Sequence, residues 1–460
     1  MKGKDRRTLS TKPLGRIDVK ILNHDELTSK GDREARTHLL KVLEVAIDSI
    51  DPYRCVSEAL SLKSDRLKVF DAQYDLSNYD RILVVGAGKA SKRMVEALNE
   101  VLGDRISSGI VNSLIDGAVG RIVLHKSTHP HPGPEGLDGA MAIMRLCESA
   151  TEKDLIICLI SGGGSAMMPC PVEGVTLDDK KRTAELLMLR GASIEELNVV
   201  RRHISRLKGG NLARIAYPAT VLSLIVSDVV GDRLESISSG PTAPDPTTHS
   251  DALTVLKKYN LLIEAPRSVV DHLTHAKSEN PKPDDSVFCK VRNVIVASNR
   301  TALLAAEKEA RDMGDNALIL TSSLEGEARK VGRMLCSIGN EMIENGKPIP
   351  PPAILVAGGE TTVTVRGKGK GGRNSELVLG ALHEMRERVT ILSFGTDGID
   401  GSSEAGGAIA DMKSWNDDAP SFLDNNDSAT YFEREGCLIF TGPTGTNVGD
   451  IVLVFASRKR

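Results

Sequence analysis

A short apolar run, a glycine-rich turn bearing a charged or hydroxyl residue, and then a helix-like segment recur along this 460-residue chain. The pattern appears as ILVVGAGKAS (82–91), LIICLISGGGSA (155–166), ILVAGGETT (354–362) and ILSFGTDGIDG (391–401). Runs of this kind suit strands buried on both faces, and glycine turns at their ends bring backbone N–H groups toward an anion. Several in one chain predict a site for a highly charged small molecule.

Further apolar runs at 109–112, 220–226, 294–297, 317–320 and 390–394 alternate with helical spacing near 92–102 and 137–149. That alternation predicts an α/β fold with largely parallel strands and flanking helices. A chain of this length is expected to form two domains with a cleft between them. Ligands of open α/β sheets sit beyond the carboxyl ends of the strands, where the glycine turns fall. Leu39, Leu43, Ala46, Ile47 and Ile50 lie at helical spacing before Asp51-Pro52, which predicts a helix leading into the first domain. The polar stretch AKSENPKPDDS (276–286) is expected to join two α/β regions. The expected division is a basic arm over 1–33, an N-terminal α/β domain over 34–285 and a C-terminal α/β region over 286–460.

Lys plus Arg number 59 against 62 Asp plus Glu, and aromatics are 3% of the chain, which argues against a nucleic-acid partner. No apolar stretch is long enough to span a bilayer, so no membrane partner is expected. The seven cysteines are widely spaced without a C-x-x-C pair, which favours a reducing, cytoplasmic location over a disulfide framework or zinc site. The first twenty residues are basic with Ser and Thr but lack an apolar core. They read as a disordered arm, with a mitochondrial targeting segment as the alternative.

GAGKAS has Ser91 where a dinucleotide fingerprint carries Gly or Ala, and it is not a Walker A loop. It leaves Gly88 and Lys89 at a helix start, where a lysine either meets an anion or stays solvated on the surface. In SGGGSA, Gly162, Gly163 and Gly164 lie between Ser161 and Ser165, a turn whose backbone and hydroxyls suit phosphate; the sequence lacks the last glycine of a serine-hydrolase elbow. NVVRRHISRLKGGNLA (198–213) adds Arg201 and Lys208, either as anion ligands or as a solvated cationic face. SDVVGD offers Asp228 and Asp232, which can hold Mg²⁺, take a proton from a hydroxyl, or cap a turn. His129 and His131, flanked by prolines, lack a third metal ligand and read as structural.

The C-terminal third contributes Glu360 in AGGET, Arg373 and Asn374 in GGRNSE, Asp397 and Asp400 in GTDGIDG, and Thr444, Thr446 and Asn447 in TGPTGTNVGD. Arg373 presents fixed donors suited to carboxylate or phosphate at a helix start. Asp397 and Asp400 either bind metal or order their loop.

Taken in order, GAGKAS, SGGGSA, NVVRRHISRLKGGNLA, SDVVGD, ISSGPT, GGETTV, GGRNSE, GTDGIDG and GPTGTNVGD resemble the glycerate 2-kinase family. The resemblance implies Rossmann-like domains, the second containing a MOFRL domain at about 350–460, with the active site in the cleft between them. It implies transfer of the γ-phosphoryl group of ATP to the 2-hydroxyl of D-glycerate with Mg²⁺, small-molecule partners only, and leaves homo-oligomers open. It points to Lys89 and Arg373 as cationic catalytic residues and to Asp228 or Asp232 as the carboxylate acting on the hydroxyl. Asp228, Asp397 and Asp400 are the expected metal ligands, with 162–165 cradling phosphate and 444–447 closing over the site. The chain departs from the family pattern at MMPCP, GIDGSSEAGG and HPHPGPEG, beside the site motifs. A hydroxypyruvate reductase and a catalytically silent metabolite-binding protein are the competing readings.

Overall fold

The computed structural model describes residues 19–458 and contains three sheets. In chain order the strands are β1 (Leu60–Lys63), β2 (Arg66–Val69), β3 (Ala72–Asp75), β4 (Arg81–Ala87), β5 (Ser108–Ser113), β6 (Gly117–Val119), β7 (Ile122–Lys126) and β8 (Asp154–Ile160). They continue with β9 (Thr220–Val226), β10 (Val291–Ala297), β11 (Asn316–Leu324), β12 (Ala353–Gly359), β13 (Val389–Gly395), β14 (Gly407–Asp411), β15 (Leu438–Ile439) and β16 (Asp450–Ala456). β1 to β3 form a small antiparallel meander.

The first large sheet has the order β10-β9-β8-β4-β5-β7-β6 and is parallel except where β6 meets β7. The inner strand β8 is buried along its whole length, in keeping with its apolar run Leu155–Ile160. From β4 the chain winds outward to β5 on one side, then returns to place β8 on the other. The crevice beyond the ends of β4 and β8 is therefore the switch point of the sheet, and both GAGKAS and SGGGSA open into it.

The second sheet, β11-β12-β16-β13-β14-β15, is mixed. β11 and β12 run parallel, whereas β16 lies antiparallel between β12 and β13. Gly359 at the end of β12 and Gly395 at the end of β13 both register with Asp450, the first residue of β16. This geometry gathers Glu360, Asp397 and Asp450 at one edge.

Several expectations about domain organisation are corrected. The helix Arg33–Asp48 leads in chain order into the first domain, as expected, but it packs on the helix Asn299–Asp312 and on β16. Its buried Arg36 donates to Asp411 at 2.8 Å and to Ser414 at 2.8 Å. Of the basic arm expected over 1–33, residues 1–18 lie outside the described residues, and Asn23 bonds to Leu438 and Phe440 of the second domain. Residues 276–286 do not join the domains but fold back on the first one: the Asp245 N–H donates to the Pro281 carbonyl, and Asn280 is buried. The boundary expected after 285 falls too early, because β10 is still the edge of the first sheet. Periodicity reveals an apolar stripe, not the sheet that will cover it. One apolar cluster runs from Val84 and Leu224 through Leu43 to Ile354 and Phe455, joining the domains behind their cleft.

Candidate active site

The two glycine turns lock together. The Lys89 N–H donates to the Gly162 carbonyl at 2.9 Å and the Ala90 N–H to the Ser161 hydroxyl at 3.1 Å. Gly88 lies so close that a Cβ there would stand 2.1 Å from Ser161 Oγ. Ser161 is thus a buried tie between the turns, outside the lining of the cleft. Gly163 adopts φ +82°, and a Cβ on it would strike His129 and Lys89 at 2.8 and 3.1 Å, so no other residue fits. Among the described residues the N–H groups of Gly163 and Ser165 meet no protein acceptor, and both residues line the cleft.

That cleft encloses ≈ 750 Å³ between the domains. Of the residues expected at a site, Gly163, Ser165, Arg201, Lys208, Asp228 and Glu360 line it. Gly162 packs beneath Asp228, since a Cβ on it would lie 2.2 Å from Asp228 Oδ2. Lys89 is half-buried beside Gly163 and has no ion-pair or hydrogen-bond partner for its ammonium among the described residues. Burial pushes the Asp228 carboxyl above its usual range, and the charge of Lys89 pulls it partly back.

One wall is cationic and comes from two helices, Leu177–Leu189 and Ile194–His203. Each starts at a reciprocal cap, Thr176 with Asp179 and Ser193 with Glu196, a local signal plainly written in the sequence. Lys180, Arg201 and Lys208 meet there without a carboxylate partner among the described residues. The Lys208 ammonium, fully buried, donates to the carbonyls of Ser165 at 2.9 Å and Met168 at 3.4 Å. Lys180 donates to Ile204 at 3.0 Å and Arg201 at 3.2 Å, also carbonyls. Burial, reinforced by Arg201, pushes Lys208 down to about 7. Lys180 is held well below the usual lysine range by burial and then by Lys208 and Arg201. Behind this wall Ser238 and Ser239 take left-handed φ values of 51° and 60°. They are pinned by bonds from Ser238 Oγ to the Ser161 carbonyl (3.0 Å) and from Ser239 Oγ to Asn198 (3.1 Å). Consecutive strained non-glycine residues persist only where the surroundings enforce them.

The opposite wall is acidic. Glu360 follows β12 and faces the cleft; Arg373, first residue of the helix Arg373–Leu382, stands behind it. Arg373 grips Asp450 with two donors, Nε at 2.6 Å and Nη2 at 2.9 Å, and turns Nη1 to Glu360 at 2.9 Å. Burial raises the Glu360 carboxyl; Arg373 opposes this, while Asp450, Asp228 and Asp397 reinforce it. Asp397 stands at the same edge, outside the lining.

Several expected ligands are structural instead. Asp400 accepts from the N–H groups of Asn374 and Ser375, both at 2.8 Å, and from the Ser375 hydroxyl at 2.6 Å, so it caps a helix and has no lone pair directed at a metal. Asn374 is buried, bonding to Asp450 and Ser393. Asp232 sits in a turn outside the lining. Thr444 bonds to the Thr396 carbonyl and Asn447 to the Gly449 N–H, so the 444–447 loop braces β13 and β16 rather than covering the cleft. Lys180 and His129 line the cleft without having been expected there. Lys180 lies in the charge run DDKKR (178–182), a pattern that in sequence is a solvated face, and only its bonds to the carbonyls that end the next helix distinguish it; His129, structural by sequence, also faces the cleft.

Two family models match the chain: Domain of unknown function (DUF4147) over residues 38–274 and the MOFRL family over 353–450. The chain is 38% identical over 430 residues to a glycerate 2-kinase from Pyrococcus horikoshii, covering 92% of this chain and 97% of that one. A relative from Agrobacterium vitis carrying a provisional hydroxypyruvate reductase name is 37% identical, with 91% and 94% covered. The crystal structure of a glycerate kinase from Thermotoga maritima superposes with a TM-score of 0.82 at 36% identity, covering 91% of this chain and 99% of that one.

Proposed function

Because the chain belongs to the glycerate 2-kinase family, we propose that it transfers the γ-phosphoryl group of ATP to the 2-hydroxyl of D-glycerate, giving 2-phosphoglycerate and ADP. The observation that carries the reading is a cleft with unpaired buried cations on one wall and clustered carboxylates on the other. Phosphoryl transfer rests on positioning and charge neutralisation, so such a cleft needs no covalent nucleophile.

The free N–H groups of Gly163 and Ser165, with Lys208 and Arg201, receive the transferring phosphates. Lys89 takes the glycerate carboxylate. Asp228, next to Lys89 and raised by burial, orients the 2-hydroxyl and accepts its proton. Glu360, with Asp397 at the same edge, presents the hard oxygen donors that Mg²⁺ requires. Bound there, the ion would neutralise phosphate charge; Asp400 takes no part. Arg373 acts through Glu360, fixing its carboxylate beside the cleft.

An oxidoreductase reading is disfavoured by the GAGKAS turn. The N–H groups of Lys89 and Ala90 are already spent on the neighbouring turn, leaving them no bond to offer a dinucleotide pyrophosphate. Incubation with ATP, Mg²⁺ and D-glycerate should release ADP and yield mainly the 2-isomer of phosphoglycerate. A predominant 3-isomer would overturn the substrate pose. No turnover, together with oxidation of NADH or NADPH by hydroxypyruvate, would overturn the reaction class.

A further inference from the structure

The cationic wall has a direction. Its two helices run antiparallel, so that Lys180 touches the carbonyl end of Ile194–His203 while Met188 and Ile194 lie toward the opposite, connecting end. Lys180, Ala184 and Met188 recur at four-residue spacing and all line the cleft, as do Ile194 and Arg201. Met188 and Ile194 are large apolar side chains that line the cleft and are left 49% and 58% exposed among the described residues. Eight residues of helix separate Lys180 from Met188, a rise of about 12 Å. That matches the reach of an extended nucleotide from its outer phosphates to its base. Between the two ends Glu185 offers a carboxylate to the cleft, its only ion-pair contact among the described residues a long 4.0 Å approach from Arg182.

Resting on the kinase reading, we propose that the nucleoside of the phosphoryl donor lies along this helical hairpin, its base against Met188 and Ile194, its ribose at Glu185, and its phosphates at Lys180, Arg201 and Lys208. The buried Lys180 and Lys208 and the exposed Met188 and Ile194 set a phosphate end and a base end apart, with the Glu195–Arg233 pair beside Ile194. Met188 is unbranched and polarisable, suited to the face of a flat ring. Carboxylates accept ribose hydroxyls in other nucleotide sites in the same manner.

Isothermal titration of ADP and of inorganic tripolyphosphate tests this with wild type and a Met188→Ser/Ile194→Ser variant, whose changes fall on exposed positions. Tripolyphosphate has the charge but no base. The variant should lose at least about tenfold in ADP affinity while tripolyphosphate binding stays within about twofold. ADP affinity unchanged in the variant, or both ligands weakened equally, would overturn the proposal. Product formation from ATP and D-glycerate by the same wild-type sample reads the reaction separately, so a misplaced base and a mistaken activity give different results. A Glu185→Gln variant should weaken ADP, and not tripolyphosphate, by a smaller factor.

Discussion

Lys180, Arg201 and Lys208 stand in one wall of the cleft with no carboxylate paired to them among the described residues, whereas Arg373, in the other, grips Asp450 and Glu360. Burying a cation without a counter-ion costs several kcal/mol, and a protein keeps that cost where a ligand offsets it. Clasping an arginine between carboxylates instead makes a fixed support. Unpaired charge therefore marks where substrate charge arrives, and paired charge marks what holds the site in shape. Lys89 belongs with the first group and Asp400 with the second.

The largest effect expected is at Lys89, whose ammonium has the substrate's charge to meet and, among the described residues, no hydrogen bond or close ion pair to lose, only the nearby charge of Asp228. Lys89→Ala should reduce kcat/KM by about three orders of magnitude while leaving the unfolding transition in place. Near-normal turnover would remove it from the catalytic set. Asp450→Asn probes the opposite case. Arg373 would keep its charge but lose its bidentate partner, destabilising the fold by on the order of 3 kcal/mol, read as a lower denaturant midpoint. An unchanged midpoint would mean that the pair is not a support.

Smaller effects follow from pH. Lys208 at about 7 is charged below that value and neutral above it, and phosphate favours the charged form. ADP affinity should fall as pH rises through 7, with proton uptake on binding below the ordinary lysine range. On the acid side, Asp228 and Glu360 both lie above the usual carboxylate range. Activity should accordingly fail at a higher pH than ordinary carboxylates would set, giving a bell-shaped profile. Stability carries the same signature. The unfolded lysine binds a proton between about 7 and 10.5 that the folded one does not, so its contribution to stability rises with pH in that window. The difference between wild type and Lys208→Met should grow on the acid side of that window, the variant gaining most near pH 7. A flat difference would contradict the burial of an unpaired ammonium.

The strands and glycine turns were legible because apolar runs and glycine leave strong local marks; residues 220–226 coincide with β9. Ligand and cap were not distinguishable in the same way. Asp397 and Asp400 lie three residues apart in one motif, yet Asp400 points its oxygens at the N–H groups of a helix start. The sequence presents Arg373 as a cation for substrate charge, whereas its guanidinium is held by Asp450 and Glu360; Asp450 is distant in sequence and meets it only because β16 lies between β12 and β13. Lys180 was lost among exposed charges. Likewise, nothing in the spacing of the helix Arg33–Asp48 says which sheet it covers.

The division of labour between the walls is tested most directly by titrating ADP into wild type, Lys208→Met and Glu360→Gln, once in EDTA and once in Mg²⁺. If the cationic wall takes phosphate and the acidic wall takes the ion, Lys208→Met should weaken binding in both buffers, and Glu360→Gln only in Mg²⁺. Loss of metal-free ADP binding on changing Glu360, with Lys208→Met binding as wild type does, would contradict the account.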